Sequence, residues 1–423
     1  MRILIISASG RAIAESARRV GWGFDVLDRF ADWDLRQICG SDSGIVRRCF
    51  RIVDFAEIFA FIQGNRYDAA IIAGGFENQP NLVQRLESQV RLLGPSSTDL
   101  ARLQCASSLP KIQSLIENSG GRLPQTEREL LPGEPPDEWL QKNLAAAGGR
   151  HVSIANSTRN SGQLQIDPAE SVTVFQRRIV GDQVSALLVA GREPFGGGGS
   201  LRNSNPSLSC RLIGCTRQLV GEGVLGAAPF SYCGSIGPIK LEVPIARTIE
   251  AIGSAIAAEF KITGIFGLDL IVNDIGVWPV DINPRITASA EIFELAAHMP
   301  GREVNQFSIV QQHVEACSLH PANFKPILFG AEMYGKAILF CQSEPGINLN
   351  ESVFEQLMPF HRDAENNSRL KQFIADIPEI GTRIAKGEPV LSLFTRGKSS
   401  SEILQNLLEF AARLRDITHS GSP

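Results

Sequence analysis

Asp269 stands in an apolar run, with Phe266, Leu268, Leu270 and Ile271 around it. Asp281 and Asn283 lie two apart on the next extended run, so both point to one face. A carboxylate in an apolar strand is costly unless a partner or a cation relieves it. Three oxygen-bearing side chains on adjacent strands suit a hard cation such as Mg²⁺. That ion takes oxygen ligands and keeps part of its shell for phosphate oxygens. Mn²⁺ accepts the same donors. Arg285 follows two residues beyond Asn283. A fixed cation beside a magnesium site is what phosphoryl transfer requires. An Asp–Arg network without metal fits the same residues, and this segment alone leaves both readings open.

Lys142 precedes a run of small residues, Ala145-Ala146-Ala147-Gly148-Gly149. Such a run lets a backbone hairpin fold over phosphates with its N–H groups inward. A lysine just upstream can reach α- and β-phosphates as a point charge. An Ala/Gly turn after an exposed lysine is common, so the weight comes from co-occurrence with the acidic strands. The run Gly196–Gly199 lacks a lysine and a following helix and reads as a surface loop.

These residues need a scaffold. Ile3–Ile6 is a short apolar run, followed by a small-residue turn at 7–10 and then AIAESARRV, rich in helix formers. Strand, tight turn and helix open a doubly wound α/β unit. DVLD (25–28) and DAAIIAGG (68–75) continue the sheet, AEIFAFIQ (56–63) is a helix, and Leu82, Leu86, Val90 and Leu93 predict one helical face. Ser9, Arg11, Glu77 and Asn78 follow strand ends, where open α/β sheets bind ligands. KIQSLIENSGG and ARTIEAIGSAIAAEF read as helices, and 172–180, 184–191, 264–274 and 277–285 as strands. A terminal helix places Ile403, Leu407, Phe410, Leu414 and Ile417 on one stripe, which reads as core packing.

Composition narrows the class. The 423 residues point to about three domains. A net charge of −4 gives no global basic field, which argues against nucleic acid and anionic membranes as partners. Eight cysteines without a C-x-x-C pair read as reduced, buried thiols of a cytoplasmic protein. No run approaches the roughly 18 apolar residues of a membrane span.

WLQKNLAAAGGRHV (139–152), VFQRRIVGDQVSALLVA (174–190), IGCTRQLVG (213–221) and GIFGLDLIVNDIGVWPVDINPRITASAE (264–291) together resemble the ATP-grasp superfamily. The most specific element is GLD followed by a strand ending in acid-x-Asn-Pro-Arg. The opening SASGRAIAESARRVGW, with DRFADWD and GGFENQP, resembles the N-terminal domain of a branch associated with cofactor assembly in tetrahydromethanopterin- and methanofuran-linked one-carbon metabolism.

The resemblance implies an α/β N-terminal doubly wound parallel sheet (1–100), an α+β ATP-grasp core (101–322, lid about 101–183) and a small β-rich cap (323–423). It implies an ATP-dependent carboxylate–amine ligase working through an acyl-phosphate on small-molecule acid and amine substrates, and leaves room for a homodimer. Its alternatives are a divergent ATP-binding protein that senses or scaffolds, and a kinase or carboxylase. Lys142, Ala147, Gly148 and Gly149 would cover the ATP phosphates. The stretch from Gln176 through Arg177 and Ile179 to Val180 would read adenine through backbone groups. Asp269, Asp281 and Asn283 would hold magnesium, and Arg285 would contact the γ-phosphate or acyl-phosphate. The chain departs from the family with Asp281 in place of Glu, Arg177 in place of a hinge Glu, and only Lys111 as a second nucleotide lysine. DIPEIGTRIAKGEPVLSLFTRG (376–397) resembles the turn-rich module that ends some of these enzymes and reads as a structural cap.

Overall fold

A computed structural model describes residues 1–42, 44–52, 54–130, 133–144, 148–149, 152–155, 173–192, 208–298, 307–318, 327, 329–344, 346–361 and 371–419. Its first sheet contains β1 (Arg2–Ser7), β2 (Gly23–Asp28), β3 (Gly40–Asp42), β4 (Ile45–Arg51), β5 (Ala69–Ile72) and β6 (Leu92–Leu93), in the order β3-β4-β2-β1-β5-β6. β1 pairs in parallel with β2 on one side and β5 on the other, so strand order reverses at β1. Open sheets bind ligands at the carboxyl ends beside such a reversal. Ile3–Ile6 are fully buried because both faces are covered. The covering helices include α1 (Arg11–Arg19), α2 (Trp33–Gln37), α3 (Phe55–Gln63) and α4 (Pro80–Glu87). The single helical face expected across 82–93 is interrupted. α4 stops at Glu87, and Leu92–Leu93 instead pair with the exposed edge of β5.

Helices α5 (Ser97–Gln104) and α6 (Leu109–Asn118) lead to a small antiparallel sheet. It holds β7 (Thr126–Glu127), β8 (Trp139–Asn143), β9 (Val152–Ile154) and β10 (Thr173–Arg177), in the order β7-β10-β8-β9. The large sheet then begins with β11 (Asp182–Arg192), β12 (Leu208–Val220), β13 (Tyr232–Ile239), β14 (Gly264–Asn273) and β15 (Gly276–Asn283). Helices α7 (Val243–Phe260), α8 (Ala290–Ala297) and α9 (Ile309–Ala316) pack on it. β16 (Met333–Phe340), β18 (Gln372–Ala375) and β20 (Pro389–Gly397) complete eight strands in the order β15-β14-β11-β12-β13-β16-β20-β18. Strands from both sides of residue 323 therefore share one sheet. β17 (Ile347–Asn348) and β19 (Arg383–Ile384) form a separate pair, and α10 (Glu351–Leu357) and α11 (Ser400–His419) close the chain.

The two faces of the large sheet differ. On one, Ile249, Ile252 and Ile256 of α7 meet Val184, Ala186, Leu188, Leu268 and Leu270. Each such isoleucine contributes roughly 1.5–3 kcal/mol of burial. On the other, Leu187, Val189, Ile265 and Phe293 share a core with Ile3, Ile5 and Val26 of the first sheet. That shared core joins the first sheet to the large one. The stripe on α11 is core, as its spacing predicts. All eight cysteines are free thiols, but Cys105 is exposed, at variance with the expected burial. Among the described residues no helix is long and apolar enough to cross a membrane.

Candidate active site

β14 and β15 place the acidic residues opposite one another. Asp269 pairs in register with Asp281, and Gly267 with Asn283. A bulge follows Asp269, which re-aims the strand at this point. Asp269 Oδ1 accepts from Ser185 Oγ at 3.1 Å and from Gln218 Nε2 at 2.8 Å. Its Oδ2 accepts from Asn283 Nδ2 at 3.1 Å. Burial, with the Asp281 charge beside it, pushes the Asp269 carboxyl up to about 6 despite these donors. The corner thus carries surplus negative charge.

Lys142 comes to this corner from the small sheet. Its ammonium donates to the Val280 carbonyl and stands 3.3 Å from Asp281 Oδ1. Its side chain is 11% exposed, so little water competes for the charge. β8 and β15 are thereby tied across 139 residues of chain.

Arg285 closes the corner from the first sheet. Its Nε donates to Glu77, whose side chain is 5% exposed, and its Nη2 donates to Asn283 Oδ1 at 2.9 Å. Although burial opposes it, Glu77 raises the Arg285 pKa further. The metal-free network expected as the alternative would pair Arg285 with Asp269 or Asp281. The direct partner is instead Glu77, on the loop after β5. That loop turns through Gly74 and Gly75 at positive φ, and the Gly75 N–H donates to Glu77 Oε2 at 2.9 Å.

Of the small-residue run, Gly148 and Gly149 are described, while Ala145, Ala146 and Ala147 lie outside the described residues. Gly149 has φ +75°, and a Cβ there would sit 2.0 Å from the Phe230 carbonyl oxygen. The Tyr232 N–H donates to the Gly148 carbonyl at 3.2 Å. Gly148 and Gly149 therefore lie against the turn that enters β13. Gln176 is buried in the sheet between β7 and β8, and its amide donates to Thr126 Oγ1 at 3.2 Å. The Arg177 side chain turns to Glu134 and Glu138 and lies over the Trp139 ring. The N–H groups of Arg177 and Arg178 are taken by Gln125 and Glu138 carbonyls. The Ile179 N–H has no partner among the described residues.

Sequence reasoning missed Ser185 and Gln218, which alternate like any half-buried strand residue. It also missed Lys336, although a lone lysine in YGKAILF carries the same signal as Asp269. Lys336 is buried and donates to Glu291 Oε2 at 2.7 Å. Burial opposes its charge, but Glu291 and Asp376 hold the pKa above the ordinary value.

With this geometry, similarity to known proteins becomes informative. Residues 200–289, the stretch holding Gln218, Asp269, Asp281, Asn283 and Arg285, match the ATP-grasp domain family. This chain carries an ATP-grasp domain. The fold around the domain is that of whole solved enzymes. N5-carboxyaminoimidazole ribonucleotide synthetase from Thermotoga maritima aligns with TM-score 0.59 and 12% identity over 97% of both chains. The N5-carboxyaminoimidazole synthase of Aspergillus clavatus, solved with ADP and 5-aminoimidazole ribonucleotide, gives 0.63 and 13%, over 99% of this chain and 98% of that one. The biotin carboxylase domain of Hydrogenobacter thermophilus 2-oxoglutarate carboxylase, solved with MgADP and bicarbonate, gives 0.64 and 11%, over 96% and 88%. An uncharacterised protein of Methanocaldococcus jannaschii is 24% identical over 218 residues, half of this chain and 46% of that protein. The segment that matches the ATP-grasp family thus receives Glu77 at its acidic corner from the loop after β5 of the first sheet.

Proposed function

We propose that this chain is an ATP- and magnesium-dependent ligase that joins a carboxylate to an amine, in cofactor assembly. One observation carries the reading. Asp269 and Asp281 face each other on β14 and β15, with Lys142 of the small sheet and Arg285 brought to the same corner.

The residues fit magnesium. Two carboxylates and an amide oxygen are hard donors, and a cation offsets the burial and the neighbouring Asp281 charge that push the Asp269 carboxyl up to about 6. Asp269, Asp281 and Asn283 would hold the ion, and Mn²⁺ suits the same set. When bound, the ion supplies positive charge against phosphate oxygens. Lys142 would neutralise α- and β-phosphate charge from its place beside Asp281. Ala147, Gly148 and Gly149 would lie over the phosphates. The open Ile179 N–H would take adenine, with Gln176 holding the strand. Arg177 would brace that edge through Glu134 and Glu138, so the absent hinge carboxylate is replaced by backbone contact.

Arg285 would orient the reacting carboxylate. Glu77 and Asn283 fix two of its nitrogens and leave Nη1 without a partner among the described residues. The γ-phosphoryl passes to the carboxylate, giving ADP and an acyl-phosphate. The amine nitrogen then attacks the acyl carbon, phosphate leaves with the C–O electrons, and the amine gives up a proton as the amide forms. The chain supplies position and charge neutralisation for both steps.

A second reading takes bicarbonate as the acid. The near-full-length likeness to carboxyaminoimidazole synthetases and a biotin carboxylase favours it. Hydroxylamine trapping with MgATP and a panel of amino acids and dicarboxylates tests the choice. ADP formed together with one acyl hydroxamate supports the first reading. ADP formation that needs bicarbonate and yields no hydroxamate supports the second. No acid-dependent ADP at all rejects both.

A further inference from the structure

The loop Asp28–Asp34, at the carboxyl end of β2, carries three carboxylates. Two are committed. Asp28 Oδ2 accepts from the Gly10 N–H at 2.6 Å, and its Oδ1 from the Phe30 and Ala31 N–H groups, both at 2.8 Å. Asp34 accepts from the Asp376 N–H at 2.8 Å and the Ile377 N–H at 3.0 Å, with Arg11 Nε at 3.5 Å. Asp32 differs. It is 8% exposed, yet its carboxylate has no hydrogen bond and no ion pair among the described residues.

The buried cations nearby are engaged elsewhere, and Arg29 on the same loop is exposed. Arg11 gives Nη1 to Glu15, Nη2 to Glu291 and Nε to Asp376. Lys336 is held by Glu291, with Asp376 at 4.0 Å. Arg19 is taken by Glu294 and Glu15. Burial, then Asp376, Asp34 and Asp28, hold the Asp32 carboxyl well above the ordinary range, with Arg11 opposing. A buried carboxylate left in this state is costly unless a ligand completes it.

We propose that Asp32 anchors a protonated primary amine of the substrate, between the β2 loop and Asp376. The inference rests on the ligase reading and names the charge class of one of its substrates. A single uncommitted carboxylate suits a hydrogen-bond-donating ammonium. A divalent metal needs several open oxygens, and those of Asp28 and Asp34 are filled. Among the described residues no group of three or more His, Cys, Asp and Glu side chains fit for a metal lies at this loop. The place is reachable, since exposed Ser9 stands 3.4 Å from Asp376 Oδ1.

The test titrates the full chain with n-butylammonium chloride, and with n-butanol as the neutral isostere, by calorimetry at about pH 7.5, where a free amine is protonated. The wild type binds butylammonium and not butanol, and Asp32→Asn weakens that binding by about tenfold or more. Asp32→Asn also raises the thermal midpoint of the ligand-free chain, because it removes an unrelieved charge. Equal butylammonium binding by both proteins overturns the proposal. So does equal binding of butanol, no butylammonium binding by the wild type, or a lowered midpoint for Asp32→Asn. A parallel MgATP titration keeps the two readings apart. Failure of the wild type there rejects the ligase reading, while the butylammonium arm still decides the site.

Discussion

Replacing Arg285 by methionine removes the cation that faces Glu77 while keeping an unbranched chain in its space. Both partners of the pair are desolvated, with side chains 12% and 5% exposed. Glu77 keeps one donor, the Gly75 N–H, but loses its charge partner. Leaving one member of a buried pair uncompensated costs roughly 3–5 kcal/mol. Glu77→Gln alone should cost less, because Asp269 and Asp281 still attract Arg285. The double variant, with no stranded charge, should recover part of the loss and give a coupling of about 1–3 kcal/mol. Arg285→Lys sits between these, since one ammonium cannot serve Glu77 and Asn283 together. It should cost roughly 1.5–3 kcal/mol of stability, the value of one charged hydrogen bond. This is larger than the near-silent change that a purely catalytic arginine would give. Urea unfolding of the four ligand-free proteins, followed by fluorescence and circular dichroism, measures the cycle. Strictly additive effects, or a stable Arg285→Met variant, would refute the pairing that joins the first sheet to the acidic corner.

Three further outcomes follow from the same geometry. Asp269 has a folded value of about 6, above the unfolded value near 4, so its contribution to stability is present at low pH and is lost as pH rises through 6; Asp269→Asn should therefore gain roughly 2–3 kcal/mol near pH 8 and nothing near pH 4, less any loss from the Asn283 contact, as read by unfolding across pH. His313 has the opposite sign. Burial lowers it to about 4, so stability is present above about 6.5 and is lost as pH falls through 4, and His313→Gln should flatten that acid limb in the same titration. Gly149→Ala puts a Cβ against the Phe230 carbonyl at positive φ, so hydrogen exchange at 148–149 and 152–155 should quicken and MgATP should bind more weakly; unchanged exchange would remove the glycine from the phosphate cover.

The acidic pair was legible in the sequence because isolated charges in apolar strands have few explanations, and because period-two spacing fixes which residues share a face. The strand–turn–helix opening was legible because its local pattern suffices. Pairings between distant segments were not. Glu77 meets Arg285 across 208 residues, and Gln218 reaches Asp269 over an intervening strand. Neither follows from local periodicity. The eighth-strand closure by β16, β20 and β18 was hidden for the same reason, since antiparallel partners far apart in sequence leave no spacing to read. Arg177 was visible as a departure from the hinge pattern, but its turn toward Glu134 and Glu138 depends on where Trp139 packs.

The central claim is that Asp269, Asp281 and Asn283 hold magnesium for bound ATP. Calorimetric titration of ATP into the wild type and Asp281→Ala, each with magnesium and with EDTA, tests it most directly. The account predicts one tight site in the wild type that requires magnesium and a loss of about tenfold or more in Asp281→Ala. Equal, magnesium-independent binding by both proteins would contradict it.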